Sequence, residues 1–221
     1  MIINKVTFTG ADEKTNYNDL LDIQRLYPNV EWGILFSKNG GNRYPNYEKF
    51  VGDLNLSAHF CGWYSREVLE NQNFDLIRNL PKQFKRVQLN YNFKNSNGWN
   101  LFELLSFVNE YKEKDIILQY NKSNKVILDR FLTIEPPSNI HFLYDNSGGR
   151  GLKIENIESP ITDHYTGYSG GLNPDNIDEV CLLINSQKND QNVWIDMETG
   201  VRTNDDFDIL KVKTVLEKIS S

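Results

Sequence analysis

Cysteine, histidine and methionine are scarce in this chain: two Cys, three His and two Met among 221 residues. Cys61 and Cys181 are too few for the disulfide framework of a small secreted domain. His59, His141 and His164 stand alone, with no Cys/His pair at zinc spacing, so no metal site is expected. Long apolar runs are missing as well. No stretch approaches the ~18 apolar residues of a membrane span, and the N-terminus, MIINKVTFTG, lacks the basic region and apolar run of a signal peptide. Nor is there a surplus of positive charge. Lys and Arg number 24 against 30 Asp and Glu, for a net charge of -6 and a pI near 5.2, which gives no sign of the basic face of a nucleic-acid binder. P-loop, G-x-S-x-G and G-x-G-x-x-G motifs are absent. These absences lead to the expectation of a cytoplasmic protein with no metal, membrane or nucleic acid among its partners.

What is present is a regular alternation. Short apolar runs occur at NKVTFT (4–9), VEWGILF (30–36), LNLSAHFC (54–61), RVQLNY (86–91), DIILQY (115–120), IHFLYD (140–145), TDHYTGY (162–168) and NVWIDM (192–197). Each reads as a strand, and the starts are 22 to 32 residues apart, the spacing of repeated βα units. Helical periodicity lies between them. Leu101, Leu104, Leu105 and Val108 follow the i, i+3, i+4, i+7 rule, as do Ile177, Val180, Cys181 and Ile184, and Val212, Val215, Leu216 and Ile219. Asn173 followed by Pro174 predicts one helix start, and Asp206 is a candidate cap for the last helix. Segments 14–26, 45–52, 64–71 and 122–131 are weaker helices, and 152–158 is weakest, a turn or no helix at all. Alternation of this kind predicts a mostly parallel sheet covered by helices, either a closed barrel or an open doubly wound sheet. A composition of 39% apolar and 24% charged residues shows no break, and Pro136-Pro137 marks only a loop, so one domain over 1–221 is expected.

Three consecutive strands run into small-residue clusters. They are Asp145-Asn146-Ser147-Gly148-Gly149-Arg150-Gly151, Ser169-Gly170-Gly171-Leu172-Asn173-Pro174 and Asp196-Met197-Glu198-Thr199-Gly200. Glycines there serve tight turns, and they also let backbone N–H groups approach an anion without a Cβ in the way. A helix starting just beyond adds its positive end. Three such clusters on successive strands favour a phosphate site built from Gly148, Gly149, Gly170, Gly171, Thr199 and Gly200, and hence a phosphorylated small-molecule ligand.

The same segments carry a resemblance. SGGLNPDNI (169–177), LYDNSGGRG (143–151), IDMETGV (195–201) and FDILKV (207–212) resemble, in this order, the motifs of strands seven, six and eight and of the last helix of phosphoribosylanthranilate isomerases. Asp208 and Lys211 hold the places of that helix motif. VTFTGAD (6–12), WGILFSKNGGNRYPN (32–46) and VQLN (87–90) are similar to the family's first strand, its second strand and following loop, and its fourth strand. The resemblance spans nearly the whole chain and implies a single-domain (β/α)8 barrel, monomeric or dimeric. It also implies an Amadori rearrangement of a phosphoribosyl aminoaldose to the aminoketose, as in tryptophan biosynthesis, without metal or organic cofactor.

Carried over residue by residue, the resemblance makes Asp145 the general acid, Arg43 the group that holds the anthranilate carboxylate, and Asp196 an active-site residue. Thr9 falls where the family has its general-base cysteine, with Gly10 after it, and Thr7 stands in place of a lysine. A threonine hydroxyl is too weak an acid to serve directly at neutral pH and needs a base of its own. His59 and Cys61, on one face of strand three, and Asp12 are candidates to stand in. Glu198 replaces a serine and needs a cationic partner beside a phosphate, with Arg150 and Arg202 as candidates. Three readings stay open: an isomerase of this type with an altered base, another phosphosugar or nucleotide enzyme on the same barrel, and a non-catalytic phosphate-ligand binder.

Overall fold

The computed structural model describes residues 1–93, 99–145, 157–161, 164–187 and 190–220. Eight parallel strands close into a barrel in sequence order: β1 (Ile2–Thr9), β2 (Val30–Phe36), β3 (Leu56–Cys61), β4 (Phe84–Asn90), β5 (Asp115–Tyr120), β6 (Ile140–Asp145), β7 (Thr166–Ser169) and β8 (Asn192–Met197). Around them lie α1 (Tyr17–Leu26), α2 (Trp63–Leu69), α3 (Asp75–Arg78), α4 (Leu101–Glu110), α5 (Lys125–Leu132), α6 (Ile177–Asn185) and α7 (Ile209–Ser220). The closed barrel resolves the choice that periodicity alone leaves open. Among the described residues, no helix is long and apolar enough to cross a membrane.

Alternation sorts each strand into two faces. Val6 and Phe8 of β1, Ile34 and Phe36 of β2, and Ala58 and Phe60 of β3 join the large core between barrel and helices. The helices meet them with the periodic residues read from sequence: Leu104 and Val108 of α4, Ile177, Val180 and Ile184 of α6, and Val212, Val215 and Leu216 of α7 are all buried. Inside the barrel a separate cluster of Ile117, Leu143 and Trp194 fills the space. Gly167 makes room for it, since a Cβ there would stand 2.1 Å from the Trp194 ring.

Much of the remaining interior is polar. Arg86 of β4 lies within 3.0 Å of Glu31 of β2 and Thr7 of β1, and its guanidinium sits 4.5 Å over the Trp194 ring. Both charged groups are buried, so the pair is needed to offset desolvation. Arg86 thereby supplies a cation beside Thr7 inside the barrel.

Strand boundaries differ from the sequence reading in β1, which starts earlier, at Ile2, and in three further strands. β3 begins at Leu56 because Asn55 turns its side chain to the carbonyls of Pro28 and Val30. β4 starts earlier, at Phe84. β7 holds only Thr166–Ser169, and residues 162–163 fall outside the described set, as does most of 152–158. Asp206 does not cap the last helix. It pairs with Thr203 between the two-residue strands β9 (Arg202–Thr203) and β10 (Asp206–Phe207), and its carboxylate holds Lys14 and Asn42. Asp208 caps α7 instead, accepting from the N–H of Leu210 and Lys211. Asn173 orders a turn, accepting from Asp175 N–H at 2.8 Å, before α6 begins at Ile177.

Candidate active site

Closing the barrel places Asp145, Ser169 and Asp196 in one row. They are register partners across β6, β7 and β8, at the C-terminal strand ends where barrels display reactive groups. Asp145 and Asp196 are both buried. Burial is the largest influence on Asp196 and pushes its carboxyl up to about 7, helped by the nearby negative charge of Glu198. A hydrogen bond from Thr9 opposes that rise.

Thr9 ends β1, and its Oγ1 donates to Asp196 Oδ1 at 2.8 Å. The same oxygen lies 3.5 Å from His59 Nδ1, while His59 Nε2 meets Ser57 Oγ at 3.1 Å. His59 is therefore inward, as alternation predicts, but burial depresses its pKa to about 3 and keeps the ring neutral. Cys61, two residues on, accepts from Asn90 Nδ2 at 3.4 Å, and burial raises its thiol to about 11. Neither is a ready proton acceptor near neutral pH. Asp12 is engaged elsewhere. It lies buried under donors from Arg202, Asn42, Thr15 and the N–H groups of Lys14 and Phe207, and it holds the end of β1 to β10.

Arg43 reaches over the mouth from the loop after β2. Its Nη1 donates to Glu198 Oε1 at 3.2 Å, and its other edge is held by Asp205. Glu198 thus takes Arg43 as its partner. Of the arginines the sequence suggested, Arg202 is buried and donates to Gly10 O, Asp12 and Asp205 O, and Arg150 lies outside the described residues. Burial raises the Glu198 carboxyl above the ordinary range, and the charge of Asp145 adds to this. Asp205 is the site residue that sequence reading missed. Asn204 and Asp205 both take positive φ, the signal of a tight turn that an Asn-Asp pair can give.

Of the glycine clusters, Gly148 and Gly149 lie outside the described residues. Gly170 and Gly171 both have positive φ, 109° and 65°, a conformation that glycine adopts without strain. The carbonyl of Gly171 is tied back by the side chains of Asn173 and Asn176. Gly200 packs against the same loop so tightly that a Cβ would stand 1.8 Å from Leu172 O. The ends of β7 and β8 are therefore one unit, with Thr199 exposed beside it. Among the described residues, no group of three or more His, Cys, Asp and Glu side chains is arranged to hold a metal ion.

Neither a protein-family model nor a curated protein matches the sequence. Solved structures do match. Phosphoribosylanthranilate isomerase from Thermotoga maritima is 18% identical, with a TM-score of 0.62 and 99% of each chain covered. The enzyme from Thermococcus kodakaraensis is 13% identical, with a TM-score of 0.58, 98% of this chain and 99% of that one covered. A third isomerase structure, in complex with reduced 1-(o-carboxyphenylamino)-1-deoxyribulose 5-phosphate, is 17% identical, with a TM-score of 0.57 and 99% of each chain covered. The chain is thus a single-chain (β/α)8 barrel with the fold of the phosphoribosylanthranilate isomerases, which it resembles along almost its entire length.

Proposed function

We propose that this barrel is an aldose–ketose isomerase that converts a phosphoribosyl aminoaldose to the aminoketose. Asp145 serves as general acid and Asp196 as general base. The observation that carries the reading is the 2.8 Å hydrogen bond between Thr9 Oγ1 and Asp196 Oδ1. It brings a carboxylate to the end of β1, where the resembling family has its cysteine. The base is anchored in β8 and acts at the place where Thr9 alone could not.

The steps balance without an external reactant. Asp145 gives a proton to the ring oxygen as the C1–O bond breaks and the nitrogen lone pair forms an iminium. Asp196 removes the proton from C2, and that electron pair becomes the C1=C2 bond of an enolamine as the iminium electrons return to nitrogen. The C2 hydroxyl then returns a proton to the Asp145 carboxylate, C1 takes the proton held by Asp196, and the aminoketose results. A positioned acid or base contributes about 10²–10⁴-fold. A base whose pKa lies near the working pH is the effective kind, which suits the raised Asp196 carboxyl.

The linked ends of β7 and β8 support a phosphate subsite formed by Gly170, Gly171, Thr199 and Gly200. The neighbouring isomerase solved with a phosphorylated ribulose compound supports a ligand of this type. A cytoplasmic enzyme needing no cofactor goes with this reading. The test is turnover of a panel of N-(5-phosphoribosyl)arylamines, with and without a ring carboxylate, followed by the change in arylamine fluorescence. Turnover abolished by both Asp145→Asn and Asp196→Asn is the expected result. Unchanged turnover in either variant would remove that residue from the mechanism, and no turnover across the panel would overturn the proposal.

A further inference from the structure

Arg43 is already spoken for. One edge of its guanidinium donates to Glu198 and the other is held by Asp205, so both edges carry a carboxylate. Together these three groups have a formal charge of -1. Arg202 offers no substitute, because it is buried and its donors go to Gly10 O, Asp12 and Asp205 O. Beside Arg43, burial raises the Tyr44 phenol above its ordinary range, and the charge of Glu198 adds to this. This wall therefore offers a neutral phenol and thiol beside the carboxylates of Glu198 and Asp205. A carboxylate arriving here would meet a guanidinium already paired with two carboxylates, and displacing Glu198 would leave that half-buried acid near Asp145 with only the charge of Arg202 to offset it.

Resting on the isomerase reading above, we infer that the amine part of the substrate carries no carboxylate: the subsite formed by Arg43, Tyr44, Cys61, Glu198 and Asp205 selects a neutral or cationic arylamine or aminoheterocycle, whose donors Glu198 accepts. Glu198 is then a specificity-determining residue. It pairs with Arg43, so that the arginine holds the wall of the subsite in place.

Two stable product analogues separate the outcomes: 1-anilino-1-deoxyribitol 5-phosphate, and the same compound bearing an ortho-carboxylate on the ring. Their dissociation constants are measured by calorimetry on the whole protein and on Glu198→Ser. The protein is expected to bind the carboxylate-free analogue at least about tenfold more tightly, equivalent to ~1.4 kcal/mol. Glu198→Ser should free one edge of Arg43 and shift the ratio toward the carboxylated compound. Glu198→Gln, which keeps the shape and removes the charge, should shift it the same way and guards against a folding defect in the serine variant. Equal or tighter binding of the carboxylated analogue by the unaltered protein would overturn the inference while leaving the isomerase reading standing. An unchanged ratio in both folded variants would also overturn it. If neither analogue binds, the phosphoribosyl reading fails and the inference falls with it.

Discussion

Thr9 and Gly33 are register partners across β1 and β2, and the Thr9 hydroxyl occupies the space in which a Gly33 side chain would begin. A Cβ on Gly33 would stand 2.3 Å from Thr9 Oγ1 and 2.9 Å from His59 Nε2. Glycine is needed here for close approach. Gly33→Ala should therefore drive Thr9 away from Asp196 and cost about 1–3 kcal/mol, the usual penalty of overpacking. Denaturant unfolding checks the stability. If Asp196 is the base, turnover should fall even where the fold survives. A Gly33→Ala protein with unchanged stability and turnover would show that the Thr9–Asp196 contact is loose.

The state of Asp196 sets a pH dependence with a definite sign. Its carboxyl is raised to about 7 in the folded protein, from an ordinary value of 3.8. As a base it must be ionised, so the limb of kcat/KM that reports Asp196 should rise with pH through about 7. Thr9→Val removes the hydrogen bond that favours the ionised form, so the limb should move to higher pH with activity retained. Asp196→Asn should abolish turnover at every pH. An unmoved limb in Thr9→Val would separate that limb from Asp196.

Stability follows its own course with pH, because linkage counts every buried group. Asp196 is protonated more readily folded than unfolded, so its contribution falls as pH rises from about 4 to about 7. His59 works the other way. Its folded pKa of about 3 lies below the ordinary 6.5, so stability is lost as pH falls below about 6.5. Glu31, held near 2 by Arg86 against a strong burial penalty, adds a loss between about 4.5 and 2. Acid unfolding monitored by circular dichroism should become shallower between pH 6.5 and 3 in His59→Gln. The same slope in the variant would discharge His59 from that role.

Arg86 and Glu31 give the sharpest stability contrast. Removing one member strands a buried charge, so Arg86→Met should cost about 3–5 kcal/mol. Replacing both by apolar residues should recover most of that loss, since the pair contributes little net once desolvation is counted. A chemical denaturation series on the single and double variants decides it. A double variant as unstable as the single one would mean that the pair does more than neutralise itself.

Much of this fold was legible because strand and helix periodicities differ. Val6 and Phe8 against Thr7 and Thr9 already encode an outward and an inward face, and the buried stripes of α4, α6 and α7 fall where spacing predicts. Asp145 and Asp196 were readable as strand-end carboxylates. Long-range pairing was not. Nothing local in FSKNGGNRYPN says that Arg43 will meet Asp205, 162 positions away. Nor does Thr9 announce a partner 187 positions on. Such contacts follow from barrel closure, which brings β8 beside β1. The cap of α7 was misplaced by two residues because Asp206 and Asp208 are equally good caps by type, and only the β9–β10 pairing chooses between them.

Gly200 tests the proposed phosphate subsite without touching the carboxylates. A Cβ at this position would lie 1.8 Å from Leu172 O and 2.8 Å from the Asn173 side chain. The first of these is backbone, so it cannot swing aside, and Gly200→Ala must part the ends of β7 and β8. Ribose 5-phosphate should then bind at least about tenfold more weakly, while the melting temperature falls only modestly because Trp194, Ile117 and Leu143 lie elsewhere in the barrel. Calorimetric titration of the variant reads both. Undiminished binding would place the phosphate away from this pair of loops and leave Gly200 a packing residue, whereas lost binding with an intact barrel would assign the linked β7 and β8 ends to the ligand.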